Sequence, residues 1–121
     1  MTEQKSAGGL DFETLRRARE QRDADLLLSL YGDDAEVRVV DRGTPPGAPK
    51  VLRGEEAAEY WRDICDRDMT HRIENEVIGA ERVALNEACE YPDGTKVLSA
   101  ETLDIHDGKI VKQTIVQAWD E

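Results

Sequence analysis

Glu101 is the residue whose placement asks for chemistry. It lies in a run over residues 96–106 that reads as a strand. Val97, Leu103 and Ile105 are apolar on one parity, with Ser99 and Glu101 between them, while Lys96, Thr102, Asp104 and His106 are polar on the other. Successive strand residues face opposite sides of a sheet, so the pattern turns Glu101 toward an apolar interior. A buried carboxyl without a cation beside it has its charged form disfavoured and its pKa raised. It can then donate a proton as a general acid, or hold a substrate oxygen. The competing placement is the mouth of the fold, where Glu101 is solvated or salt-bridged to Arg38, Arg53 or Arg72, because an unpaired buried acid is costly. His71 is a candidate proton shuttle, a role that histidine side chains commonly take. A pair with Asp41 or Glu101 would give a relay, and a plain strand-start histidine is the alternative. His106, beside Asp107-Gly108, is expected in solvent.

Other signatures are missing from the sequence. There is no Gly-rich phosphate loop, no nucleophile elbow and no metal-ligand cluster at recognisable spacing; neither histidine has a cysteine close to it in sequence. No metal and no cofactor are expected. Cys65 and Cys89 fall in different elements and read as free buried thiols. A disulfide requires the helix around Cys65 to pack on the strand around Cys89.

These side chains must be held by the elements around them. Asp11 caps a helix over 11–22 with Phe12, Leu15 and Ala18 as a thin apolar stripe and charge elsewhere. Asp23 caps a second, short helix with Leu26, Leu27, Leu30 and Tyr31 inside and Gly32 at its end. A strand follows over 37–41, whose last residue Asp41 reads as an ordinary turn starter, then a Pro/Gly loop over 43–49 and a short strand over 51–53. A third helix begins near Gly54, with Ala57, Trp61, Ile64 and Cys65 recurring at helical spacing and Tyr60 beside them. From His71 the period becomes two, giving strands over 71–78, 82–91, 96–106 and 109–119. Pro92-Asp-Gly and Asp107-Gly108 supply the turns, and Asp-Gly between alternating runs is a hairpin signal.

The bulk properties bound the function. At 121 residues the chain makes one domain with a real core. Residues 1–10 read as a flexible tail and 11–121 as the domain. No stretch reaches the ~18 apolar residues of a membrane span, and no apolar signal-peptide core precedes the domain, so a cytoplasmic protein is expected. The net charge of −11, from 27 acids and 16 bases, disfavours nucleic acid and anionic membranes as partners.

The order of segments, together with Asp23-Ala-Asp-Leu-Leu, Leu30-Tyr-Gly-Asp-Asp-Ala-Glu-Val, Arg53-Gly-Glu-Glu-Ala-Ala-Glu-Tyr-Trp and Asp107-Gly-Lys-Ile-Val, resembles the nuclear transport factor 2-like superfamily. Within it, the sequence is similar to SnoaL-like polyketide cyclases and ketosteroid isomerase-like proteins. The resemblance covers the chain from about Asp11. It implies an α+β cone: a curved, mainly antiparallel mixed sheet wrapped around helices and enclosing a pocket. It also implies which strand parities face inward: Val37, Val39 and Asp41; Val83, Leu85, Glu87 and Cys89; Val97, Ser99, Glu101, Leu103 and Ile105; and Val111, Gln113, Ile115, Gln117 and Trp119. The other face of the last strand is also fairly apolar and is a candidate homodimer interface, as the sheet often is in such families.

On this resemblance Glu101 looks like the acidic member of an isomerase-type oxyanion hole. The strand position of the isomerase-like base is Val39, with Asp41 two residues on; the place of the tyrosine donor, on the first helix, is Leu15. Two of three key groups are thus absent, which argues against ketosteroid isomerisation itself. The expected site is Glu101, Asp41 and His71 as catalytic candidates. Tyr31, Val39, Tyr60, Trp61, Leu85, Glu87, Ser99, Leu103, Gln113, Gln117 and Trp119 are its expected substrate-binding wall. Three functions compete: acid/base isomerisation, cyclisation or dehydration of a small hydrophobic oxygenated molecule; ligand binding without chemistry; or a homodimeric interaction module with a filled core.

Overall fold

The last strand organises the sheet, because it pairs with neighbours on both sides. The computed structural model describes residues 6–120. The elements are β1 (Ser6–Ala7), β2 (Leu10–Asp11), α1 (Phe12–Glu20), α2 (Ala24–Ser29), β3 (Tyr31–Val40), β4 (Lys50–Arg53), α3 (Glu55–Asp66), β5 (Thr70–Ile78), β6 (Arg82–Glu90), β7 (Lys96–His106) and β8 (Lys109–Trp119). β5 through β8 form an antiparallel meander, and β8 then takes β3 as a parallel partner, giving the order β4-β3-β8-β7-β6-β5. The fold is α+β, with three helices and a mixed six-stranded sheet.

Local chemistry accounts for most boundaries. Asp11 caps α1 by accepting from the Thr14 amide at 3.2 Å, and Asp23 caps α2 through the Leu26 amide at 3.0 Å. The β7–β8 turn has positive φ at both Asp107 (51°) and Gly108 (77°), as a two-residue primed turn requires. No helix among the described residues is long and apolar enough to cross a membrane.

Three boundaries differ from expectation. Tyr31 and Gly32 belong to β3 rather than to the second helix, which closes at Ser29. The tail expected over 1–10 is, from Ser6, a tight hairpin. Its Gly8 amide donates to Ala80 O at 2.5 Å, its Gly8 carbonyl accepts from Gly108, and Ala7 and Leu10 are buried; residues 1–5 lie outside the described part. The single parity expected for the last strand is broken near its start. The β7–β8 register shifts after Asp104, so Ile110 is buried and Val111 exposed, while Gln113 and Ile115 still point inward. A bulge of this kind re-aims every side chain on one side of it.

The core fills the concave side. Phe12, Leu15 and Ala18 of α1, Leu27 of α2 and Ala57, Trp61 and Ile64 of α3 bury themselves against alternate residues of β3 and β5 to β8.

Candidate functional site

Arg19 is the residue that organises the interior. It stands four positions after Leu15, on the buried side of α1, and is 2% exposed. Its guanidinium lies 4.2 Å over the Trp61 ring. Nη2 donates to Glu101 Oε1 at 3.0 Å, and Nη1 donates to Glu101 Oε2 at 3.2 Å and to Glu87 Oε2 at 2.9 Å. Glu101 and Glu87 are each 3% exposed. They share the concave face of adjacent strands, where Leu85 registers with Glu101 and Glu87 with Ser99.

The polar chain extends on both sides. Gln113 Nε2 donates to Glu101 Oε1 at 2.7 Å, and Tyr31 OH donates to Gln113 Oε1. Beyond Glu87, its Oε1 stands 3.6 Å from His71 Nδ1 and 3.7 Å from Cys89 Sγ. Glu101 thus lies in the interior rather than at the mouth, yet it has a cation beside it, and that cation is Arg19 rather than Arg38, Arg53 or Arg72. Arg38 and Arg53 instead hold Glu36, and Arg72 pairs with Glu74 at 3.2 Å.

The two carboxyls respond differently to one cation. Burial pushes Glu101 up from its ordinary value and Glu87's charge adds to the push, against the attraction of Arg19. Burial opposes Glu87's charge too. There the Arg19 guanidinium, helped by His71, prevails and holds it down to about 2. Arg19 itself is driven above its ordinary value: desolvation works against its charge, but Glu101 and Glu87 outweigh it. Burial raises the Tyr31 and Tyr60 hydroxyls and the Cys89 thiol.

A cleft of about 310 Å³ opens above this network. Glu87, Ser99 and Glu101 line its floor; Tyr60, Trp61, Gln117, Trp119 and Asp41 line its sides, with Met69, Ile115, Lys50 and Arg67. Gln117 Oε1 accepts from Trp119 Nε1 at 3.1 Å, and Arg42 stacks on Trp119 at 4.2 Å.

Several expected wall residues lie elsewhere. Val39, Leu85 and Leu103 are buried core and do not border the cleft, because the helices pack directly on that stretch of the sheet. Gln113 is fully buried behind Glu101, and Tyr31 borders a separate 180 Å³ cavity beside α3. Asp41 does reach the rim, but it is spent on its turn. Its carboxylate accepts from the Gly43 amide at 2.8 Å and the Thr44 hydroxyl at 2.9 Å. Against the cost of burial, those bonds hold it below the usual carboxylate range and make it a poor base. Among the described residues no hydrogen bond or ion pair joins Asp41 or His71 to Glu101.

Sequence reasoning missed Arg19. The signal was its position: 12, 15 and 19 follow the i, i+3, i+7 spacing of a buried helix face, and an arginine there needs acids opposite it. The expectation that neither histidine has a nearby cysteine also fails in space. His71 and Cys89 are register partners across β5 and β6, and Nδ1 and Sγ approach to 3.3 Å. Both cysteines are free thiols.

No protein-family model matches the sequence, and no curated protein matches it significantly. Solved structures do match in shape. An NTF2-like protein of unknown function from Mesorhizobium loti superposes with a TM-score of 0.75 at 17% identity, covering 88% of each chain. A Kribbella flavida protein provisionally described as a ketosteroid isomerase gives 0.72 at 13% identity, over 90% of this chain and 74% of its own. IdmH of Streptomyces antibioticus, provisionally described as a polyketide cyclase, gives 0.65 at 21% identity over 87% of each. The fold is thus nuclear transport factor 2-like, shared with SnoaL-like and ketosteroid isomerase-like structures. A likeness at such identities speaks for architecture, and activity has to be argued from the site.

Proposed function

We propose that the cleft binds a small hydrophobic oxygenated molecule and that Glu101 exchanges a proton with it, the chemistry of an isomerisation, cyclisation or dehydration next to a carbonyl. The observation that carries this reading is the sharing of one buried guanidinium by two buried carboxyls at the cleft floor. Arg19 balances one negative charge, and Glu101 is the carboxyl driven to keep its proton. A carboxylic acid kept neutral in an apolar site can donate to a carbonyl or enolate oxygen. Trp61, Tyr60 and Trp119 supply apolar walls, and Gln117 offers an amide at the side. Asp41 is too weak a base and His71 is turned toward Glu87, so the proton-transfer role falls to Glu101. Two free thiols fit a reducing, cytoplasmic setting.

A thermal-shift screen against polyketides, steroids, terpenoid ketones and lactones tests binding, since a ligand of the folded state raises Tm by mass action. For any compound turned over, Glu101→Gln is expected to abolish turnover and keep the fold, because Glu87 still neutralises Arg19. Undiminished turnover in that variant would overturn the assignment.

A homodimer through the outer sheet face is a second reading. Leu98 and Val116 are 49% and 48% exposed there, with Ala100 and Ala118 beside them. Apolar strips of this kind mark contact surfaces.

A further inference from the structure

We propose that His71, Glu87 and Cys89 form a divalent-metal site whose donor set selects Zn²⁺. The three are buried, and one ligand atom from each converges: Nδ1 of His71, Oε1 of Glu87 and Sγ of Cys89. The sides of this triangle are 3.3, 3.6 and 3.7 Å. Zinc bonds of about 2.0–2.2 Å to nitrogen and oxygen and about 2.3 Å to sulfur, set at tetrahedral angles, put ligand atoms about 3.4–3.6 Å apart. The side chains thus already span one face of a zinc tetrahedron, within a few tenths of an ångström. Imidazole, carboxylate and thiolate together suit zinc, and a hard-oxygen ion such as Mg²⁺ poorly.

The framework is rigid. His71 and Cys89 face one another in the β5–β6 ladder, and Glu87 stands two residues before Cys89 on the same face. Arg19 grips the other oxygen of Glu87 at 2.9 Å, which fixes Oε1 toward the site, as carboxylate ligands are commonly oriented by a second partner. Charge favours a cation as well. Glu87 and a Cys89 thiolate supply two negative charges, which match those of a dication. On binding, the Cys89 S–H bond breaks, the proton leaves to solvent and the sulfur electron pair goes to the metal.

A cysteine–histidine nucleophile pair fits these atoms less well. In such a pair the acid orients the far nitrogen of the imidazole. Here Glu87 shares Nδ1 with Cys89, and Nε2 has no hydrogen-bond partner among the described residues. Three protein ligands leave one tetrahedral position for water, or for an oxygen of a molecule in the cleft that Glu87 and Cys89 line.

Co²⁺ serves as the probe, because tetrahedral cobalt–thiolate centres absorb in the visible and show a near-ultraviolet charge-transfer band. The experiment uses the full chain carrying Cys65→Ser, which leaves Cys89 as its single thiol and does not disturb the trio. One equivalent of Co²⁺ is expected to produce both bands, and Zn²⁺ to displace it with loss of colour. His71→Ala is expected to weaken binding by at least about tenfold, with circular dichroism confirming its fold. Absence of the charge-transfer band in Cys65→Ser, or unchanged affinity in folded His71→Ala, overturns the proposal. The assay needs no substrate, so its outcome is separate from that of the Glu101 proposal.

Discussion

One guanidinium serving two carboxyls makes Arg19, rather than either acid, the residue on which the interior depends. Its loss leaves both acids buried without a cation, whereas loss of either acid leaves a one-to-one pair. Removing one partner of a buried pair costs about 3–5 kcal/mol. Arg19→Met is therefore expected to lower the free energy of unfolding in urea by about that amount, and Glu87→Gln or Glu101→Gln by about 1–2 kcal/mol. Equal losses in all three variants would contradict this ranking. The acids should also leave opposite marks on pH dependence. Glu87 is depressed to about 2 from an ordinary 4.5. Its stabilisation is complete above about pH 4.5 and is lost as pH falls toward 2. Glu101 is raised, so it favours folding at low pH, and that gain disappears as pH rises through its folded pKa. With a chelator present, the stability of Glu101→Gln relative to the unmutated protein should rise with pH above 4.5. That of Glu87→Gln should fall between pH 2 and 4.5. Parallel profiles would mean that the acids are not divided in this way. Glu101 was legible because one charged residue interrupts an apolar parity. Arg19 was not, because a lone basic residue on a charged helix looks like surface until the strand opposite is known to carry two acids.

The elements show why some boundaries can be read locally and others cannot. The helix caps and the Asp107-Gly108 turn follow from a few adjacent residues and match expectation. The register shift in β7–β8 and the parallel pairing of β3 with β8 are set by distant partners, so alternation alone misplaced Val111. The hairpin of β1 and β2 was hidden for the same reason: Ser6 to Leu10 carries little apolar pattern, and its order comes from docking. Gly8 sits at φ +55°, and a Cβ added there would lie 2.8 Å from Ile105 O. Gly8→Ala thus meets both a left-handed backbone and a wall, and is expected to lower stability by about 2 kcal/mol or more. Gly47, in the loop before β4, has nothing within 4 Å of an added Cβ. Gly47→Ala is expected to be neutral or to stabilise by up to about 1 kcal/mol, through the unfolded chain. Urea unfolding of the two variants checks the contrast, and a neutral Gly8→Ala would mean that the hairpin does not dock as described.

At the scale of the whole molecule, the helices and the concave sheet enclose a polar floor under aromatic walls, while the convex face stays open and partly apolar. If that face joins two copies, Leu98→Lys places a charge at the contact. Sedimentation should then move from dimer to monomer with the thermal midpoint of the separated chain little changed; a monomer already in the unmutated protein would refute the homodimer. The cleft matters more, and its central claim is that Glu101 keeps its proton where an ordinary glutamate has lost it. Infrared spectroscopy reads this directly, since a protonated carboxyl has a carbonyl stretch distinct from the carboxylate bands. In chelated protein, at a pH where exposed glutamates have ionised, the account predicts a protonated-carboxyl band that disappears in Glu101→Gln. No such band, or one that persists in that variant, would contradict Glu101 as the acid of this site.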